Sequence, residues 1–104
     1  MVLRFIERNN GKIQIDMETR RISSYVPVHE VTADRCKNSF VLQQELCPYK
    51  INFNHSAYNI YETALIFNWI RDNLKGNWFY ILQNNYGFEL AEDAVAFKLF
   101  WTKK

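Results

Sequence analysis

Cysteine is scarce in this chain. Two thiols, Cys36 and Cys47, are too few for the disulfide framework that holds small secreted domains together. Glycine and proline are scarce as well, at three and two residues, so the backbone is expected to consist mostly of regular elements joined by short turns. Long apolar runs are missing. No stretch approaches the roughly 20 residues of a membrane span. The opening Met-Val-Leu-Arg-Phe-Ile-Glu meets charge at Arg4 and again at Glu7, which leaves no apolar core for a secretory signal. These absences lead us to expect a soluble cytoplasmic protein with reduced thiols and no membrane contact. Charge of one sign is also lacking. Thirteen basic residues face eleven acidic ones, and a net +2 does not by itself indicate a nucleic-acid binder.

Aromatic residues, in contrast, are abundant: eight Phe, six Tyr and three Trp in 104 residues. Each buried ring removes roughly 150–250 Å² from water, so a real core is within reach at this length. A chain of this size corresponds to one domain, here residues 1–104.

Residues 2–8 mix apolar and charged positions as a strand does. Asn9-Asn10-Gly11 is a strong turn signal, because Asn and Gly tolerate positive φ. Lys12 to Met17 then alternates, with Ile13, Ile15 and Met17 on one face. The pattern predicts a β-hairpin. Residues 18–38 are the least periodic. Ser24 to His29 fits an edge strand around Pro27, and Thr32 to Cys36 fits a helical turn capped by Thr32. Residues 39–46 fit either a strand or a short helix. Tyr49, Ile51 and Phe53 alternate as one strand face.

The clearest helix follows, with Ser56 or Asn59 as its cap. Ile66, Phe67, Ile70 and Leu74 form its apolar stripe, Leu65 and Trp69 widen it, and Lys75-Gly76 closes it. Residues 77–82 and 86–90 read as a second hairpin around Gln83-Asn84-Asn85. Residues 91–101 read as a helix with Glu92 and Asp93 in its first turn; a terminal strand with Phe97, Leu99 and Trp101 on one face is the alternative. The predicted fold is α+β, a small antiparallel sheet of hairpins with two helices packed on one face. The helical stripe is expected to bury against Ile13, Ile15 and the inner face of the 77–90 hairpin.

Motifs that carry chemistry are sparse. His29, Cys36, Cys47 and His55 never come in the close pairs that structural zinc sites use, so no metal is expected. No cofactor is expected either, since phosphate-binding loops, nucleophile elbows and paired metal histidines are absent. A Cys–His nucleophilic pair is formally open, but two residues of each type occur by chance in most chains of this length. Glu92-Asp93 is accounted for by the helix dipole. Trp78, Tyr80, Tyr86 and Phe88 share one hairpin, where they either build the core or present a face on which bases stack, with Arg20, Arg21, Arg35 and Lys37 to meet phosphates.

Gly87-Phe88-Glu89-Leu90, then Glu92-Asp93-Ala94-Val95-Ala96-Phe97-Lys98-Leu99 and Trp101, resembles the ending of small accessory proteins of tailed bacteriophages. The resemblance covers about residues 77–101. It implies a protein that binds a host or defence component, or assists the phage's own complexes, in the cytoplasm of the host cell.

The expected function is therefore that of a non-enzymatic binding protein, a phage-encoded inhibitor or modulator of a host or defence protein. A single-stranded nucleic-acid binder using the aromatic sheet is the alternative. Helix stripes and inner strand faces are needed for the core, which leaves the weakly periodic segment and the 83–86 tip for a partner. Arg20, Arg21, Tyr25, Asn85 and Tyr86 are the expected partner-facing residues, of types that recur at interface hot spots.

Overall fold

A computed structural model describes residues 2–24, 28–52, 60–81 and 85–101. The predicted first hairpin is present. Strand β1 (Leu3–Arg8) pairs antiparallel with β2 (Gly11–Asp16), with Arg8 opposite Gly11. Asn9 and Asn10 form the two-residue turn, both at positive φ (53° and 61°), the mirror-image geometry that matches strand twist. Gly11 serves a different purpose. A Cβ there would lie 2.7 Å from the Asn38 backbone, so its bareness lets a helix approach the strand. A short β3 (Ile22–Ser23) completes the first sheet, in the order β1-β2-β3. The edge strand expected over Ser24 to His29 is not found in its described part: Val28–Glu30 is a 3-10 turn, and residues 25–27 lie outside the described residues.

The segment expected to be a capped turn followed by an ambiguous stretch is one continuous helix, α1 (Ala33–Leu46). Thr32 caps it as expected, its hydroxyl accepting from the Arg35 N–H at 3.1 Å. After it come β4 (Tyr49–Asn52), α2 (Ile60–Asn73), β5 (Trp78–Ile81), β6 (Asn85–Phe88) and α3 (Ala91–Trp101). Residues 91–101 are thus helix and not strand. The proposed caps Ser56 and Asn59, Phe53, and the turn residues Gln83 and Asn84 lie outside the described residues.

The fold is α+β with antiparallel sheets, as the sequence predicts. Among the described residues it differs in number: three α-helices, and two three-stranded sheets, the second in the order β4-β6-β5. The core differs too, because it is divided. Ile66, Ile70 and Leu74 of α2 bury against Trp78, Tyr86 and Phe88 of the second sheet and Phe97 of α3, with Phe67 half-buried beside them. Ile13 and Ile15 are not part of this cluster. They pack with Ile22, Leu42, Cys47 and Phe79, because α1 occupies the face of β2 that the expected arrangement gave to α2.

Strand alternation makes the division possible. Trp78 and Tyr80 of β5 point to one side and Phe79 to the other, so one strand feeds both cores. Phe79 lies across Gly87, its cross-strand partner, where an added Cβ would sit 2.1 Å from the ring. Among the described residues no helix is long and apolar enough to cross a membrane.

Candidate functional site

The loop between β2 and β3 positions the two arginines. Asp16 opens it, its carboxylate accepting from the Glu18 and Thr19 N–H groups at 2.9 and 3.3 Å. The chain then turns through Arg20 in the left-handed region (φ 64°), and this reversal sends consecutive side chains in different directions.

Arg20 reaches the end of α2. Its guanidinium donates to the carbonyls of Arg71 at 2.8 Å, Ile70 at 3.2 Å and Lys75 at 3.3 Å. The last carbonyls of a helix have no partner within it, and a cation suits the negative end of its dipole. Arg20 therefore clamps α2 to the first sheet and is not free for a partner. The same junction is closed from the other side by Asp93, buried in the first turn of α3, which accepts from the N–H groups of Gly76 (2.8 Å) and Lys75 (3.2 Å). Gly76, expected to close α2, does so without a left-handed conformation, since no described glycine has positive φ.

Arg21 faces a cleft of about 440 Å³ between the outer face of the first sheet and α2. Gln14 and Asp16 reach the cleft because they alternate with buried Ile13 and Ile15. Phe67, Asn68 and Arg71 line the opposite wall. The Arg21 guanidinium lies over the ring of Phe67 at 5.0 Å and that of Trp78 at 5.8 Å. Trp78 is itself fixed, its indole N–H donating to the Thr19 carbonyl at 2.9 Å.

Of the other expected partner-facing residues, Tyr25 lies outside the described residues. Asn85 is half-buried at the start of β6, its side-chain carbonyl accepting from Asn52 at 3.2 Å. Tyr86 corrects the expectation. It is fully buried, with its ring 4.8 Å from Phe97 and 5.1 Å from Tyr80. Its neighbour Asn85 begins the strand, and alternation turns the next side chain inward. Burial, and then the Tyr80 phenol, raise the Tyr86 hydroxyl above the usual tyrosine range, with Arg21 opposing. The four described residues thus do not form one surface.

The aromatic hairpin is core. Trp78, Tyr86 and Phe88 are buried beneath α2 and α3. Cys47 is buried and Cys36 exposed, and both are free thiols. Among the described residues no three His, Cys, Asp or Glu side chains converge as a metal site would require; His55 lies outside them.

A set of exposed apolar side chains on α2 and α3 went unread in the sequence. Tyr61, Leu65 and Trp69 follow one another at i, i+4 and i+8 along α2, and Trp69 stacks on Phe100 of α3 at 4.6 Å. Tyr61 is 79% exposed, Leu65 61%, Phe100 56%, and Val95 and Leu99 of α3 are 57% and 63% exposed. The available signal was excess: α3 is apolar nearly all round, yet only Asp93, Ala94 and Phe97 are buried. No family model, curated protein or solved structure matches the chain.

Proposed function

We propose that this is a non-enzymatic binding protein whose partner is another protein, engaged through the outer faces of α2 and α3. The observation that carries this reading is the set of apolar side chains there. Tyr61, Leu65, Val95, Leu99 and Phe100 all stand more than half exposed, on two helices locked together by the Trp69–Phe100 stack. Large apolar surface left in water is a standing free-energy cost that a protein partner would relieve, and aromatic side chains are the anchors interfaces favour. The resemblance of residues 77–101 to phage accessory proteins supports a reading in which the partner is a host or defence component met in the host cytoplasm. The burial of Trp78, Tyr86 and Phe88 weighs against the nucleic-acid alternative, because those rings present no face on which bases stack.

The test is capture from host lysate by the wild-type chain, Leu65→Asp and Phe100→Asp. We expect a protein retained by the wild type and lost by both variants, with far-UV circular dichroism unchanged. Retention by all three, or retention of nucleic acid alone, would overturn the reading.

A further inference from the structure

The cleft beside Arg21 has the features of a small-ligand site, and it stands apart from the α2–α3 surface. Its volume of about 440 Å³ lies within the range of pockets that hold one small molecule. Two guanidiniums line it, and they are not equivalent. Arg71 is already paired, its Nε donating to Asp72 at 2.9 Å. The Arg21 guanidinium lies over the rings of Phe67 and Trp78, its charge is felt by the Tyr86 hydroxyl, and among the described residues it makes no salt bridge. A ring face is a weak acceptor, so a guanidinium held over rings keeps N–H donors with which to take a carboxylate through two parallel hydrogen bonds.

We propose that this cleft binds a small monocarboxylate bearing an apolar group. Arg21 holds the carboxylate, and the apolar part lies against Leu3 and the exposed portion of Phe67. Asn68 and Gln14 line the same cleft with side-chain amides that donate to the outer oxygens. The single charge follows from Asp16, whose carboxylate shares the cleft and repels a dianion such as phosphate more strongly than a monoanion.

The indole N–H of Trp78, bonded to Thr19 at the cleft, is a built-in reporter by NMR, and the indoles of Trp69 and Trp101 are controls in the same molecule. Titration with phenylacetate should shift the Trp78 resonance saturably and leave the other two in place. 2-Phenylethanol, alike in shape but uncharged, should bind at least about tenfold more weakly, and Arg21→Gln should weaken phenylacetate by a similar factor. Inorganic phosphate should not displace phenylacetate at equal concentration. Four results would each overturn the proposal: no saturable shift, 2-phenylethanol binding as tightly as phenylacetate, a folded Arg21→Gln that binds like wild type, or displacement by phosphate. If Arg21→Gln does not fold, the comparison of phenylacetate with 2-phenylethanol on the wild-type chain decides alone.

Discussion

Arg20 and Arg21 are adjacent and chemically identical, yet one is structural and the other lines a cleft. Backbone geometry decides between them. A left-handed residue between two extended stretches reverses the direction of the next side chain, and no composition or periodicity signal reports a left-handed arginine. The residue also carries a cost, since an L side chain in that region is strained by roughly 1–2 kcal/mol. The clamp it makes on α2 offsets that cost: three carbonyls bonded to a cation, partly open to solvent. Arg20→Ala keeps the strain and loses the clamp, so it should destabilise the protein by about 1–3 kcal/mol. Arg20→Gly loses the clamp but relieves the strain, and should cost less than Arg20→Ala. Urea midpoints of the two variants check this; an Arg20→Ala protein as stable as wild type would show that the clamp holds nothing. Tyr86 gives the complementary lesson. Its neighbours Gln83, Asn84 and Asn85 are turn-formers, and they drew it into the tip, whereas the alternation of Tyr86 with Gly87 and Phe88 along β6 decides its direction.

Among the elements, the first hairpin and α2 were legible because their apolar periods are clean, and α3 through its length and the acidic residues of its first turn. Helix α1 was not, and its buried face explains why. The residues that face covers are Ser39, Leu42 and Gln43, two of them polar, so the 3.6-residue period is invisible to hydrophobicity. These residues pack through hydrogen bonds instead. The Ser39 hydroxyl accepts from the Lys12 N–H at 2.8 Å and donates to the Arg35 carbonyl at 2.7 Å. The Gln43 amide donates to the Ile22 carbonyl at 3.0 Å, a fully buried bond that holds the two-residue strand β3 against α1. Gln43→Ala removes the donor and leaves a buried carbonyl without it. We expect a loss of about 1–3 kcal/mol, together with faster amide exchange at Ser23 and Ile22 than elsewhere in the sheet. Stability and exchange like wild type would mean that β3 is held by its pairing with β2 alone. The candidate site follows the same logic. Its walls come from five elements and a loop, and Phe67 and Trp78 were already explained as core, so nothing in the linear order marks them as the floor of a cleft.

At the scale of the molecule the question is whether two cores make one cooperative unit. The ties between them are few but specific: Phe79 crossing from β5 into the core under α1, the Arg20 clamp, the Trp78 N–H donating to the Arg20 carbonyl at 3.2 Å, and the isolated bridge between Arg21 and Trp78. The chain supplies its own reporters. Trp69, Trp78 and Trp101 all belong to the α2–α3 core, so intrinsic fluorescence reports that core and, through Trp78, its junction with the first sheet. Cys47 belongs to the other. Burial, reinforced by Glu89, pushes its thiol up to about 12, so in the folded state it stays protonated and shielded at pH 8. With Cys36 changed to Ser, reaction of Cys47 with a thiol reagent in increasing urea reports the α1 core. Because these ties place Phe79 and Trp78 in one strand, we expect the fluorescence and thiol-exposure midpoints to coincide, as two-state unfolding requires. Thiol exposure at clearly lower urea would mean that the first sheet and α1 open as a separate unit. Alkali gives the same protein a second readout. A thiol raised in the folded state contributes full stability below its unfolded value near 9, and that contribution is lost as pH rises toward 12, by up to about 1.4 kcal/mol per pH unit. Cys47→Ala should remove that part of the alkaline slope, and in a single cooperative unit the change appears in tryptophan fluorescence even though Cys47 lies in the other core.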